Sequence, residues 1–254
     1  PRIRILSLTV SEKAYGIDRD AMDIDMAHPA IAADLLWPHA PRGVLAIITA
    51  ALANRRAAGT PPFTVLCCDN LPDNGALLRA GVLGFASRTR PRLADWIEAN
   101  VAFPSTVVDR ITPAPTEQTY TDAMELTGRR DLVAVETEAF SQWVIEDHFT
   151  AGRPAWEAGG AQFVRDTGPY EAMKLRMLNG SHSLIAYMGQ LAGLPHVRDV
   201  LMHPTLAALI RRHMRAAAAS LPRAVGLDPE SYADTLMQRF ANPAIAHRTS
   251  QIAA

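Results

Sequence analysis

Residues 64–75, TVLCCDNLPDNG, contain three kinds of local structure in succession. Thr64 to Cys68 is a short apolar run that reads as a buried strand. Asp69, Asn70, Leu71, Pro72, Asp73, Asn74 and Gly75 form a polar turn, and a helix begins near Ala76. A strand that opens through a polar turn into a helix is the repeating unit of parallel sheets, because the helix carries the chain back to begin a parallel neighbour.

The same unit recurs on both sides. Ile3 to Val10 (IRILSLTV) is rich in aliphatic and β-branched residues and runs into Ser11, Glu12 and Lys13. Pro41 to Ala58 places Leu45, Ile48 and Leu52 at helical spacing, with Gly59 just past its end. Helix continues from Ala76 towards Asn100; Ser105 to Val108 and Leu132 to Val135 read as further short strands, separated by a helix over Glu117 to Gly128. Such alternation predicts a mainly parallel sheet with ligands outside the carboxyl ends of the strands, where the loops at 11–13, 69–75 and 109–113 lie. From Pro169 the pattern changes to long helices over 169–193, 204–221 and 229–240, the last with Asp228 as N-cap. The boundary is expected in the irregular, glycine- and proline-bearing stretch 139–168.

Composition narrows the function. Hydrophobic residues make up 48% and charged residues 20%, enough to bury a core and too apolar for disorder. A formal net charge of −1 offers no basic field for nucleic acid. The longest apolar run, Val44 to Ala53, is too short to span a bilayer. The two cysteines, Cys67 and Cys68, are neighbours that cannot build a disulfide framework, and a reducing cytoplasm fits them. Core packing explains them better than nucleophilic chemistry. Eight histidines occur without His-Glu-x-x-His, Cys-x-x-Cys or a carboxylate cluster, so no metal site is expected.

Polar groups with chemical potential concentrate in Pro169 to Tyr187 (PYEAMKLRMLNGSHSLIAY). At about 100° per residue, with Lys174 at zero, Glu171 falls near 60°, His182 near 80° and Asn179 near 140°. Leu175 and Leu178 share that arc, so the ionisable groups lie among apolar neighbours. Desolvation lowers a lysine's pKa and suits Lys174 to acid/base work near neutral pH. The plainer alternative is a Glu171–Lys174 helix pair beside satisfied core polars. Asn70 either aims an amide at a polarised carbonyl oxygen or serves the turn. Asp109 either accepts from a substrate or ribose hydroxyl or caps its own loop with Arg110. No Gly-x-Gly-x-x-Gly or phosphate-binding Gly-x-x-x-x-Gly-Lys loop occurs.

SLTVSEKAYG (7–16), CCDNLPDNG (67–75), VVDRITP (107–113), FSQWVIEDHF (140–149) and KLRMLNGSHS (174–183) together resemble the polyol-specific long-chain dehydrogenases, which include mannitol dehydrogenases and hexuronate reductases. The resemblance covers the whole chain. It implies an α/β Rossmann-type parallel sheet, present as its C-terminal part over 1–140, followed by a mainly α-helical domain over 141–254, both incomplete because family members extend past both ends. It further implies NAD as cofactor, met by the loop of Thr9, Glu12 and Lys13. Lys174 matches the family's general acid/base, Asn70 and Asn179 the pair that holds the reacting oxygen, and His182 the residue that orients substrate. Glu171 is a candidate proton relay.

RFANPAIAHRTSQI (239–252) is similar to the hexuronate reductase branch, where His247 and Arg248 would meet a substrate carboxylate. Arg248 is otherwise a surface arginine, and Ser250 departs from the aromatic residue expected there. The first expectation is therefore a metal-independent fructuronate reductase, turning D-fructuronate into D-mannonate in carbohydrate metabolism. Mannitol 2-dehydrogenase activity is the alternative, and a non-catalytic remnant with a binding role is the reading from another class. The expected partner is a small sugar acid or polyol, with neither nucleic acid nor membrane, and a monomer is the family default.

Overall fold

A computed structural model describes residues 3–222, 226–245 and 247–253. The chain divides into two compact units, residues 1–108 with 142–167 and residues 109–141 with 168–254. It therefore crosses between them three times, whereas the expected boundary at 140/141 required one crossing. Pro1 and Arg2, which precede the first expected strand, lie outside the described residues.

In the first unit, β1 (Ile5–Leu8) precedes a small antiparallel hairpin of β2 (Ile17–Asp18) and β3 (Asp23–Ile24). Helices α1 (Pro29–Leu36) and α2 (Val44–Ala57) follow, then β4 (Thr64–Cys67), α3 (Asn74–Thr89) and α4 (Pro91–Asn100). β4 pairs parallel with β1, Ile5 opposite Thr64 through Leu8 opposite Cys67. Every β4 residue is buried, as expected of a strand covered on both faces. Leu45, Ile48 and Leu52 are the buried stripe of α2, and they join Val65, Leu78, Val82, Phe85 and Ile97 in one core. Pro91 ends α3 and begins α4, since it cannot donate to the preceding turn.

β5 (Thr106–Asp109), β6 (Gln142–Glu146) and β7 (Gln162–Val164) form a three-stranded sheet in that order, with β6 and β7 parallel. The stretch 139–168, expected to be irregular, thus contains two strands. They are too short for periodicity to register, and Gly152, Pro154, Gly159 and Gly160 dominate the sequence between them. Conversely, the strand expected over Leu132 to Val135 does not form. Leu132, Val133 and Val135 are 66%, 81% and 65% exposed in a turn after α5 (Glu117–Thr127), where the local apolar run finds no neighbour to pair with.

The second unit adds α6 (Gly168–Met173), a π-helical turn (Lys174–Asn179), α7 (Gly180–Ala192), α8 (Val197–Met202), α9 (Pro204–Ala219), α10 (Pro229–Phe240) and α11 (Thr249–Ile252). Asp228 caps α10 by accepting from Ser231 N at 3.0 Å. Met177, Ile185, Val200, Ile210, Met214, Leu236 and Phe240 close this unit's core. Among the described residues no helix is long and apolar enough to cross a membrane.

Gly75, which ends the segment 64–75, lies in the first turn of α3 against the backbone leading into β5. An added Cβ would stand 2.4 Å from Phe103 O and 2.6 Å from Ser105 N. Gly75→Ala is therefore expected to destabilise the fold by about 1–3 kcal/mol, the usual cost of overpacking. Thermal unfolding of the complete protein checks this, and an unchanged midpoint would contradict the close approach.

Candidate active site

The helix expected to run unbroken from 169 to 193 changes hydrogen-bonding pattern at Lys174. Gly180 N donates to Leu175 O, five residues back instead of four. In an α-helix, residues five apart diverge by about 140°. In an i→i+5 turn they stand one above the other, as i and i+4 do in an α-helix. Lys174 and Asn179 are such a pair, so the π-turn brings onto one face two residues that regular geometry would separate. Glu171 lies one α-turn before Lys174, and His182 one α-turn after Asn179. The spacings of three, five and three residues match the α, π and α turns supplied.

Met173, Met177 and Leu178 are buried beside this stripe. Burial holds the Lys174 ammonium below its ordinary value of 10.5; Asp109 and then Glu171 oppose that shift, and Arg239 adds to it. The lysine therefore sits between desolvation, which favours the neutral amine, and nearby carboxylates, which favour the cation.

Asp109 ends β5 and is buried, and its side-chain partners lie far from it in sequence. Arg239, near the end of α10, donates to Asp109 Oδ1 at 2.7 Å and Oδ2 at 2.9 Å. Its other edge donates to Glu138 Oε1 at 2.7 Å and Oε2 at 2.9 Å. Tyr232 OH adds a bond to Asp109 Oδ2 at 2.9 Å, and Ile111 N donates to Glu138 Oε1 at 2.6 Å. The guanidinium also lies over the Phe140 ring, 4.0 Å from its centre. Burial alone would lower the Arg239 pKa, but its hydrogen bonds to both carboxylates outweigh that and raise it. Arg110 donates to the Glu138 and Phe140 carbonyls instead of capping Asp109.

His182 is stacked on Phe240, ring centres 5.2 Å apart, and meets the edge of His247 at 4.8 Å. Its Nε2 and His247 Nδ1 are buried without a hydrogen-bond partner. Burial, then the nearby His247 and Arg239, push His182 down to about 4, and burial also lowers His247. Both rings are thus neutral near pH 7. Arg248 is exposed, and its backbone bridges to His196.

In the first unit, Thr9, Glu12 and Lys13 are exposed at and beyond the carboxyl end of β1, with Glu12 3.3 Å from Arg19. Asn70 is exposed at the carboxyl end of β4. These exposed polar groups lie at the carboxyl ends of two adjacent parallel strands, the place where open α/β sheets bind ligands. Cys67 is buried and lies 3.4 Å from Tyr15 OH; Cys68 is pushed up to about 11 by burial, so neither is poised as a thiolate. Among the described residues no three His, Cys, Asp or Glu gather to hold a metal ion.

The family model for the mannitol dehydrogenase Rossmann domain matches residues 7–158, and that for the mannitol dehydrogenase C-terminal domain matches 166–254. The chain belongs to the mannitol dehydrogenase family. Its Rossmann-type part is N-terminal in this chain and its helical part follows. The uncharacterized oxidoreductase YdfI of Escherichia coli K12 is 48% identical over all of this chain and 52% of its own length. The D-mannonate oxidoreductase of the same organism is 46% identical, over all of this chain and 52% of its length. The structure described as Pseudomonas fluorescens mannitol 2-dehydrogenase in ternary complex with NAD and D-mannitol is 43% identical with a TM-score of 0.89, covering 98% of this chain and 51% of that one. The chain therefore spans about half the length of the relatives it matches.

Sequence reasoning missed Glu138, Tyr232 and Arg239. Arg239 opens the quoted segment RFANPAIAHRTSQI, but nothing local marks it as buried. The signal available was a charged residue on the apolar face of an amphipathic helix, in line with the buried Tyr232 and Leu236.

His182 gives the fold a pH dependence of known sign. A histidine depressed from 6.5 to about 4 contributes stability that is present above 6.5 and lost as pH falls through about 4. A gap of that size corresponds to about 3 kcal/mol. Denaturant midpoints between pH 7 and 4 should lose that contribution in the wild type. His182→Phe, which keeps the ring stack and removes the titration, should not show it.

Proposed function

We propose that the complete protein is a metal-independent, NAD-dependent oxidoreductase that reduces D-fructuronate to D-mannonate. The observation that carries this reading is the π-turn, which sets a partly desolvated lysine and an amide donor on one helix face. The 46% identity to a D-mannonate oxidoreductase supports the choice of substrate. The first unit is taken as the nicotinamide-binding part of this sequence.

Thr9, Glu12 and Lys13 would hold the nicotinamide end of the cofactor, whose bound reduced form supplies hydride to the ketone carbon. Lys174 gives its proton to the ketone oxygen. Asn179, and by resemblance Asn70, donate hydrogen bonds to the alkoxide as it develops, which lowers the barrier where charge appears. Glu171, one turn away, returns a proton to Lys174. His182 orients the substrate as a neutral ring. His247 acts beside it as a hydrogen-bond donor to the substrate carboxylate, with Arg248 supplying positive charge. The reaction is metabolic and cytoplasmic in this reading, and the protein is a monomer.

Mannitol oxidation to fructose is the second reading, supported by the fold shared with a mannitol complex. NADH oxidation followed with D-fructuronate and D-fructose side by side separates the two: faster turnover of fructuronate is expected, and preference for fructose would move the protein to the mannitol branch. Lys174→Ala should lower kcat by about 10²–10⁴-fold. Absence of nicotinamide binding by the wild type would favour a non-catalytic role.

The direction of the pH profile is fixed by the same lysine. Reduction needs the ammonium and should fall as pH rises through the Lys174 pKa, while oxidation needs the amine and should rise through it. Both limbs are expected below 10.5, because burial lowers the group. Superimposable pH–rate profiles for wild type and Lys174→Arg would exclude Lys174 as the titrating group.

A further inference from the structure

Asp69 lies between the two loops that the proposed function uses in the first unit, and neither the reaction nor the resemblance gives it a task. Its carboxylate is buried and can only accept hydrogen bonds. Val10 N donates to Oδ1 at 3.1 Å and to Oδ2 at 3.0 Å, and Tyr15 OH donates to Oδ2 at 2.6 Å. Val10 and Tyr15 bracket the loop that carries Glu12 and Lys13, and Val10 directly follows Thr9. Tyr15 is itself buried in the core, so its hydroxyl reaches Asp69 from a fixed ring.

The main chain of Asp69 serves the other loop. Leu71 N donates to Asp69 O at 2.9 Å, and Asn74 Nδ2 donates to the same oxygen at 3.1 Å. Asn74 is anchored in turn on β5, donating to Thr106 O at 3.0 Å and accepting from Thr106 N at 2.9 Å. Asn70 is held between these points. One residue therefore fixes the loop after β1 through its side chain and the loop after β4 through its carbonyl.

We propose that Asp69 is a positioning residue that couples the cofactor-side loop Thr9–Lys13 to the loop presenting Asn70, so that both loops are set together. The assignment rests on the reading of those loops given above. A charge-assisted bond to a tyrosine and a doubly engaged backbone amide are stronger than neutral turn bonds and tolerate little displacement. Replacing the carboxylate by an amide leaves one neutral oxygen to accept from both Val10 N and Tyr15 OH, so the Val10 amide loses one of its two contacts and the remaining bonds lose their charge assistance.

The test uses the complete protein with Asp69→Asn and the milder Tyr15→Phe, which removes one bond and keeps the ring in the core. Hydrogen exchange read by mass spectrometry on segments 7–16 and 67–75 should rise in both segments together in each variant. NADH affinity, measured by fluorescence titration, and kcat should both fall, by about tenfold or more for Asp69→Asn and less for Tyr15→Phe. Faster exchange in one segment alone, or loss of kcat with unchanged NADH affinity, would overturn the coupling. A wild type that binds no NADH would remove the oxidoreductase reading, and the exchange of the two segments would still decide whether Asp69 couples them. Lys174→Ala serves as the control: it should lower kcat by about 10²–10⁴-fold and leave exchange in both segments unchanged.

Discussion

Arg239 places one guanidinium between two buried carboxylates, and the helical unit is organised around that choice. Each carboxylate takes a two-pronged bond from the arginine, and Tyr232 and Ile111 N satisfy further lone pairs on Asp109 and Glu138. A buried ion pair of this kind contributes little net stability over an apolar replacement, yet removing one partner costs about 3–5 kcal/mol because the other charge is left unpaired. The arrangement thus fixes geometry more than it adds stability. It ties α10 to Asp109 and Glu138 within the second unit, and α10 carries Phe240, on which His182 is stacked.

Two carboxylates against one guanidinium leave a negative charge over, and Lys174 experiences it through Asp109. Burial and this field act on the lysine in opposite directions, and burial is the larger. Full desolvation without the carboxylates would leave a neutral amine with no proton to give. Solvent exposure would leave an ordinary ammonium too weak as an acid near neutral pH. An intermediate position serves proton exchange in both directions, as the proposed ketone–alcohol interconversion would require.

Local periodicity revealed most of the first unit. Ile5 to Leu8, Val44 to Ala57, Thr64 to Cys67 and Thr106 to Asp109 form where apolar spacing placed them, because each carries its signal within its own residues. Leu132 to Val135 carried the same signal and did not become a strand, since a strand exists only with a partner, and β6 and β7 took their places beside β5 from a stretch dominated by glycine and proline. The candidate site divides in the same way. Lys174, Asn179 and His182 were legible from one helix. Glu138, Tyr232 and Arg239 were not, because what makes them matter is a contact across about 100 or more residues of sequence, which spacing alone does not record.

The π-turn shows why a reading of that helix at uniform pitch was incomplete. Angles taken at a uniform pitch put Asn179 well away from Lys174, and the four polar residues seemed to share a broad arc rather than a line. One extra residue in the turn removes the discrepancy. Such turns are rare in helices because their hydrogen-bond geometry is unfavourable, and they persist mostly where function requires them. Here the cost falls on the segment that carries the lysine and the amide, while the flanking α-turns keep Glu171 and His182 in register on either side. The π-turn spans six residues, and the buried Met177 and Leu178 within them anchor it in the core.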